Sequence, residues 1–453
     1  PSGAFAGAGH GSEAGVGWEG RIFAAGGGAP LFEGRDTFGY VCSWMESDLC
    51  RRVSFGLGKG YGGYLEKQIS KELESFEIEP KGGTRMDMYE VIVVGAGPAG
   101  CMLAQTAGKR CRVLLVESRD LHVPIEDGKE KSCGGLLNPT AQEVLAKLGL
   151  ALPKEVLETP QVFAIRAIDY DTNQERYYPK HYINIHRGAF DRWMLSEALL
   201  SPRVDLCDRT TVIGFTPYET HVEVTLREKN GSVRQVKTRY LVGADGAASL
   251  VRRHLEQKYC GPDEPRFPIR RYVSLQQWFT AEEEMPYYVA LFDQRVTDYY
   301  SWMIPKAGHV ILGAAIPEGK NVRGRFQYLK HRVQATGFSL GTPVREQGAI
   351  LLRPYGPGSV YLGKGRVFLA GEAAGFISAS SEEGISYALS SGTALGEALL
   401  YRKTPEETET LYRKRVLKLR WGLAAKAMKS VIMYSPKLRG AVFRSRLLSM
   451  DVK

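Results

Sequence analysis

The 453-residue chain exceeds one comfortable hydrophobic core, so at least two cooperating domains are expected, and its 43 % apolar and 24 % charged residues are ordinary for a globular protein. No uninterrupted apolar stretch approaches the length of a bilayer crossing, which excludes a membrane-spanning helix and leaves contact from one side only. The formal charge of +10 is moderate, and the seven cysteines are scattered without a C-x-x-C pair or a Cys/His cluster at ligand spacing, so a reduced, cytoplasmic protein without a structural metal is expected.

Residues 1–87 differ from everything after them. Eleven glycines among residues 1–34, with few large apolar residues, cannot bury enough surface to offset the entropy of ordering. The stretch lacks the basic start, apolar run and cleavage site of a secretory signal, and Met86 and Met88 stand just before the first expected strand. It is read as a leader that is non-native, misassigned or a flexible tail, with one amphipathic segment at residues 51–77.

Residues 89–117, YEVIVVGAGPAGCMLAQTAGKRCRVLLVE, carry the strongest signal. An apolar run, Val91-Ile-Val-Val94, leads into Gly95-x-Gly97-x-x-Gly100; a helix-compatible segment follows, and a second apolar run, Val113-Leu-Leu-Val116, ends in Glu117. Strand, tight turn, helix and strand in this order form the dinucleotide-binding fingerprint. The first glycine permits the turn, the second lets backbone approach a pyrophosphate, and the third lets helix and strand pack closely. Pro98 and Ala99 fall at the helix start, whose free N–H groups and positive dipole end suit a phosphate. Glu117, 22 residues after Gly95, is placed to accept hydrogen bonds from a ribose diol. The pattern specifies an adenine dinucleotide without choosing between FAD and NAD.

A mixed-charge loop over residues 118–131 leads to Ser132-Cys133-Gly134-Gly135, where adjacent glycines suggest backbone lying against something flat or bulky. Asn138-Pro139 opens a helix that Gly149 stops. Residues 161–185 read as an antiparallel pair of strands over a cleft, and residues 187–200 as a helix with Phe190, Trp193, Met194 and Ala198 at helical spacing. Short strands near residues 211–215, 221–227 and 233–242 end in Gly243-Ala-Asp245-Gly246, from which a helix starts at once. Asp245 is read in two ways, as a second contact to the dinucleotide or as a plain Asp-Gly turn. Residues 270–352 return to aromatic-rich strands suited to one buried face of a sheet, their aromatics serving as core or as the wall of an apolar pocket. Finally a strand delivers Gly371-Glu372, and Glu383-Gly384-Ile385 starts a helix to Leu400, its positive end able to stabilise negative charge on a cofactor.

In this order, Gly95-x-Gly97-x-x-Gly100, Gly243-Ala-Asp-Gly246 and Gly371-Glu-Ala-Ala-Gly375 resemble the FAD-binding set of p-hydroxybenzoate-hydroxylase-like flavoproteins. Lys131-Ser-Cys-Gly-Gly135, Arg187-x-x-Phe-Asp191, Tyr300-Ser-Trp-Met-Ile-Pro305 and Glu383-Gly-Ile385 are similar to motifs of their geranylgeranyl-reductase-like branch. The resemblance covers essentially all of residues 88–450 and none of 1–87, and its motifs are specific for FAD and much less so for substrate. It implies an α/β fold: a Rossmann-like FAD-binding domain of the p-hydroxybenzoate hydroxylase type (88–160, 186–264, 353–400), an inserted antiparallel-sheet substrate domain (161–185, 265–352) and basic C-terminal helices (401–453). It also implies FAD contacts from Gly95, Gly97, Pro98, Ala99, Gly100, Glu117, Cys133, Gly134, Gly135, Arg187, Asp245, Gly246, Gly371, Glu372, Gly375, Gly384 and Ile385, with Tyr300, Trp302 and Pro305 toward the substrate. There are two departures. Glu372 replaces the usual aspartate and is one methylene longer, and Ile304 stands where the family often has phenylalanine.

One dinucleotide fingerprint, placed on FAD, leaves NAD(P)H or another electron carrier as transient reductant. The reaction the resemblance implies is reduction of a C=C bond in an isoprenoid or polyprenyl lipid, with hydride passing from reduced flavin to one carbon and a proton to the other. Cys133 is the candidate catalytic residue, a buried packing thiol being the competing reading. A flavin monooxygenase acting on an apolar or aromatic substrate, and a non-catalytic FAD-binding regulator, are the alternatives on the same fold. Residues 411–450 hold 11 Lys or Arg and no Asp or Glu, around apolar faces at residues 421–428 and 431–434. They are read either as a surface helix at the inner face of a membrane or as a solvated basic helix packed on the rest. Nucleic-acid binding has no motif behind it.

Overall fold

The computed structural model describes residues 88–123, 131–259, 269–281, 285–401 and 404–451; the leader expected at 1–87 lies outside them. The described chain opens as its apolar runs dictate. β1 (Tyr89–Val94) is buried along its last four residues, α1 (Pro98–Ala107) begins on the proline, and β2 (Val113–Val116) is buried throughout. After the two-residue β3 (Leu136–Leu137), the Asn138 side chain accepts from the Ala141 N–H at 2.8 Å and caps α2 (Pro139–Lys147). β4 (Val162–Asp169) and β5 (Gln174–Asn184) form an antiparallel pair, and His186 caps α3 (Arg187–Leu199). Then come β6 (Val204–Cys207), β7 (Thr210–Pro217), β8 (Val222–Glu228), β9 (Val233–Gly243) and α4 (Leu250–Tyr259). The aromatic-rich strands are β10 (Ile269–Thr280), β11 (Tyr288–Phe292), β12 (Ser301–Lys306) and β13 (His309–Pro317), followed by α5 (Val322–Ala335) and β14 (Pro343–Pro354). β15 (Gly363–Lys364), β16 (Val367–Leu369), α6 (Ile385–Tyr401), α7 (Pro405–Arg415), α8 (Leu417–Tyr434) and α9 (Pro436–Ser445) complete it.

The strands sort into two sheets. The first has a parallel run, β16-β9-β1-β2-β6, with β15 antiparallel on one edge. β9 changes partner along its length, pairing antiparallel with β8 at first and then running parallel to β1. Near-continuous apolar runs such as Val91 to Val94 are what strands covered on both faces require. The register sets Val94 opposite Gly243 and Gly243 opposite Leu369, so the carboxyl ends of three strands remote in sequence lie side by side. On one side α6 packs against α1 so closely that a Cβ on Gly392 would strike the Ala99 carbonyl.

The second sheet runs β14-β10-β13-β12-β11-β4-β5-β3 and is antiparallel except for β11 against β4. The pleat divides its residues. Met303 and Leu312 pack under α5 with Phe326, Leu329 and Val333, while Tyr272, Tyr288, Tyr300, Trp302 and Ile304 form an aromatic face against Tyr434 and Phe443. Reading residues 270–352 as strands throughout is therefore corrected at α5, whose three core residues recur at helical spacing. α9 is fastened by the buried Arg439, which pairs with Asp169 at 2.8 Å and Asp171 at 2.7 Å. No helix among the described residues is long and apolar enough to cross a membrane.

Candidate active site

A cavity of about 780 Å³ is lined on one side by the turns at the ends of β1 and β9 and on the other by the aromatic face of the second sheet. That volume lies within the roughly 300–1,000 Å³ typical of cofactor and ligand sites. Gly95 turns at φ 100°, where a side chain would be strained and would meet the Ala244 carbonyl. Gly97, in contrast, has open space where a side chain would stand, and the helix it precedes has no side-chain cap. The first N–H groups of α1 are thus offered to the cavity.

Glu117 lies at the end of β2, its carboxylate accepting from the Ala96 N–H at 2.8 Å and from the Arg119 N–H at 2.9 Å. Burial pushes this carboxyl up, but the Arg119 guanidinium and these hydrogen bonds outweigh it and hold it below the ordinary value. Arg119 continues to Asp191 at 3.5 Å, and Asp191 to Arg187 at 2.9 Å. Beside Arg187 is the Cys133 thiol; burial raises it, yet the guanidinium and the Gly135 N–H outweigh burial and lower it. A charged chain therefore connects the fingerprint acid to the cysteine along one wall.

Opposite, the side-chain hydroxyls of Tyr299, Tyr300 and Tyr434 donate to the carbonyls of Ser378, Ser381 and Ser380 at 3.2, 3.1 and 2.9 Å. These bonds hold the loop that carries Glu382, which sits at φ 53°, a left-handed conformation uncommon for a residue with a side chain. Its Oε1 is enclosed and has no hydrogen-bond partner among the described residues. Burial holds its carboxyl well above the usual carboxylate range; Arg353 opposes this, and Glu372 and Cys133 reinforce it. Arg353 is itself stacked between Tyr299 and Tyr434, 4.3 and 4.6 Å from the ring centroids. Glu382 therefore faces the cavity with its proton held more tightly than in an ordinary carboxylic acid and one oxygen without a partner among the described residues.

The FAD binding domain family matches residues 88–312. Protein CbrA of Escherichia coli O6:H1 is 40 % identical over 360 residues, covering 80 % of this chain and 94 % of that protein. The chain belongs to the CbrA family of FAD-binding flavoproteins. Solved structures with the same fold include a geranylgeranyl bacteriochlorophyll reductase-like protein of Thermoplasma acidophilum, with a TM-score of 0.66, 17 % identity and coverage of 79 % of this chain and 91 % of that one. Another is the p-nitrophenol 4-monooxygenase PnpA of Pseudomonas putida, with a TM-score of 0.57, 16 % identity and coverage of 81 % and 99 %. The chain thus has the Rossmann-like fold of the p-hydroxybenzoate hydroxylase type and is an FAD-dependent oxidoreductase.

The residues present fit FAD. Open space at Gly97 above an uncapped helix start suits a pyrophosphate, and three enclosed polar atoms on the cavity wall, Ser132 Oγ, Trp302 Nε1 and Glu382 Oε1, have no partner among the described residues. Pro98, Ala99, Cys133, Gly134, Gly135, Arg187, Gly246, Gly384 and Ile385 also line the cavity, as do Tyr300 and Trp302.

The remaining expected residues are placed less directly. Gly100, Gly371 and Gly375 do not line the cavity: Gly100 packs α1 onto the Gly95 carbonyl, and the other two turn the backbone at φ 60° and 88°. Pro305 does not line it, and its carbonyl accepts from the Asn184 side chain at 2.8 Å. Asp245 lines the cavity but caps α4, accepting from Ser249 Oγ at 2.5 Å and the Leu250 N–H at 2.8 Å. Glu372 also lines the cavity and accepts from Lys131 at 3.0 Å. The start of α6 is not bare either, because Glu383 accepts from the Ser386 N–H at 2.7 Å.

Sequence reasoning missed Glu382 and Arg119, gave Lys131 only as part of a motif, and passed over Lys306, which lies behind the cavity lining. Lys306 is buried and donates to Asn184 Oδ1 at 2.5 Å and to the Ile185 carbonyl at 2.9 Å, and burial lowers it to about 8. A signal for Glu382 existed: Ser381-Glu-Glu-Gly384 has two adjacent acids where capping the helix needs one.

Proposed function

We propose that this flavoprotein reduces carbon–carbon double bonds of a polyprenyl lipid, with Glu382 supplying the proton. The observation that carries the reading is the juxtaposition, in one cavity, of the dinucleotide turn, an aromatic wall and an enclosed carboxyl group with an unpartnered oxygen. Bound and reduced, FAD supplies the hydride. NAD(P)H or another electron carrier serves as its transient reductant.

Tyr182, Tyr288, Tyr300, Trp302 and Ile304 offer rings and methyl groups to an unsaturated hydrocarbon chain and exclude water from it. Glu382 delivers its proton to the carbon that does not receive the hydride, and the carboxylate left behind is stabilised by Arg353 until solvent reprotonates it. Arg353 is held by the Tyr272 hydroxyl at 3.0 Å and by its ring stack, so it is a positioning residue here. Cys133 and Arg187 stand on the facing wall, where the guanidinium favours the thiolate against burial. The reductase-like neighbour from Thermoplasma acidophilum supports the reading at the level of fold.

The test is anaerobic turnover of the FAD-loaded protein with a chemical or nicotinamide reductant and polyprenyl phosphates, followed by mass spectrometry. A product heavier by the mass of H2, formed without oxygen, is expected. A strict requirement for oxygen, with product heavier by one oxygen atom, would replace the reading with hydroxylation.

A further inference from the structure

α8 carries a stripe that the cavity does not use. Leu417, Trp421, Ala425, Met428 and Ile432 recur at intervals of four, four, three and four residues and are all exposed, Trp421 at 69 % and Met428 at 75 %. That spacing places them on one face of the helix. Burying a Trp or Met side chain is worth roughly 1.5–3 kcal/mol, so leaving this row in water is costly without a partner surface.

The flanks are cationic. Residues 411–450 contain 11 Lys or Arg and no Asp or Glu. Lys180 from β5 stands with Lys426 and Lys429 of α8: burial lowers Lys429, and the two neighbouring ammonium groups lower it further. Neither Lys180 nor Lys429 pairs with a carboxylate among the described residues, while Lys426 reaches Glu383 at 3.7 Å. An anionic group would relieve this crowding.

We propose that this face of α8, with its lysine flank, is a docking surface for an anionic lipid bilayer. An apolar stripe bordered by cations matches the acyl and headgroup layers of such a surface. A second copy of the chain is disfavoured by charge, since pairing the same face would set one basic fringe against another. The same helix ends in Met433 and Tyr434, which line the cavity, so a chain drawn from the lipid phase meets the cavity at the end of the docked helix. That delivery step alone rests on the proposed reaction; the docking does not.

The experiment is flotation of the full-length FAD-loaded protein with vesicles of phosphatidylcholine alone or mixed with phosphatidylglycerol, at low and high salt. Binding is expected only to the mixed vesicles, weakening as salt rises. The double variant Trp421→Ser, Met428→Ser should lose about tenfold or more of its partitioning, with FAD content and circular dichroism unchanged. Lys180→Glu with Lys429→Glu should weaken binding and flatten its salt dependence. Absence of binding to the mixed vesicles, binding indifferent to the serine variant, or self-association abolished by that variant would each overturn the proposal. Because no turnover is read, these results are independent of whether polyprenyl reduction occurs.

Discussion

Glu382→Gln keeps the size of the side chain and removes its ionisable proton. In the protein the carboxyl is enclosed, one oxygen lacks a partner, and burial keeps it protonated beyond the usual range. A positioned general acid contributes roughly 10²–10⁴-fold to rate, so single-turnover reoxidation of the reduced protein by substrate should slow by that factor, with FAD binding unaltered. In the wild type the rate should fall as pH rises through the raised Glu382 value, and the variant should lose that limb. Stability supplies a second reading with a fixed sign. A carboxyl raised in the folded state holds its contribution below the ordinary value of 4.5 and loses it as pH rises toward the folded value. Each pH unit in that window costs about 1.36 kcal/mol. Glutamine escapes this loss, so in urea titrations the variant should gain on the wild type as pH rises from the ordinary carboxylate value toward neutrality. Stopped-flow absorbance under nitrogen and denaturation across pH provide the assays. An unchanged single-turnover rate, together with parallel stability curves, would refute both the proton-donor role and the neutral state of the acid.

Two glycines of the fingerprint should fail differently: Gly97→Val should fold and lose FAD, whereas Gly100→Val, which drives a side chain into the Gly95 carbonyl, should lose thermal stability even without cofactor. Flavin absorbance and melting temperature separate the two. Arg187→Met removes the charge that opposes burial at Cys133, so the pH midpoint for iodoacetamide alkylation of the Cys133 peptide, followed by mass spectrometry, should move upward. Lys306 is lowered from 10.5 to about 8, which means its folded form binds fewer protons than the unfolded chain between these values; wild-type stability should gain about 3 kcal/mol from it across that window, and Lys306→Met should lack the rise in chemical denaturation. Arg439→Met leaves the fully buried Asp169 without its partner and should cost roughly 3–5 kcal/mol by the same method.

What could be read in advance follows the range of the forces involved. The fingerprint was legible because each part is local: an apolar run, a glycine where φ turns positive, a proline at the helix start. The Asn138 cap is legible for the same reason, satisfied within three residues. Asp245 shows the limit of a motif, since it lines the cavity while its hydrogen bonds belong to the helix that follows. α5 had its own start and stop signals in Asn321 and Gly337, but its place among aromatic strands masked the change of period from two to 3.6. Glu382 could not be ranked from sequence. Its burial depends on Tyr299, Tyr300, Arg353 and Tyr434, which come from separate parts of the chain.

The charges around the cavity make one further point about mechanism. On the wall that includes the fingerprint turn, Arg119, Lys131 and Arg187 are each matched to a carboxylate, through Glu117, Glu372 and Asp191. Charges so paired keep their places at the cost of little net potential, and they leave helix N–H groups to meet the pyrophosphate. On the aromatic wall the acid has no such matched cation within hydrogen-bond distance among the described residues, and Arg353 is committed to tyrosine rings. Had Arg353 formed an ion pair with Glu382, the acid would be ionised and unable to donate. Stacking the guanidinium between Tyr299 and Tyr434 instead keeps it near enough to stabilise the carboxylate once the proton has left, while the apolar surroundings keep the acid neutral beforehand.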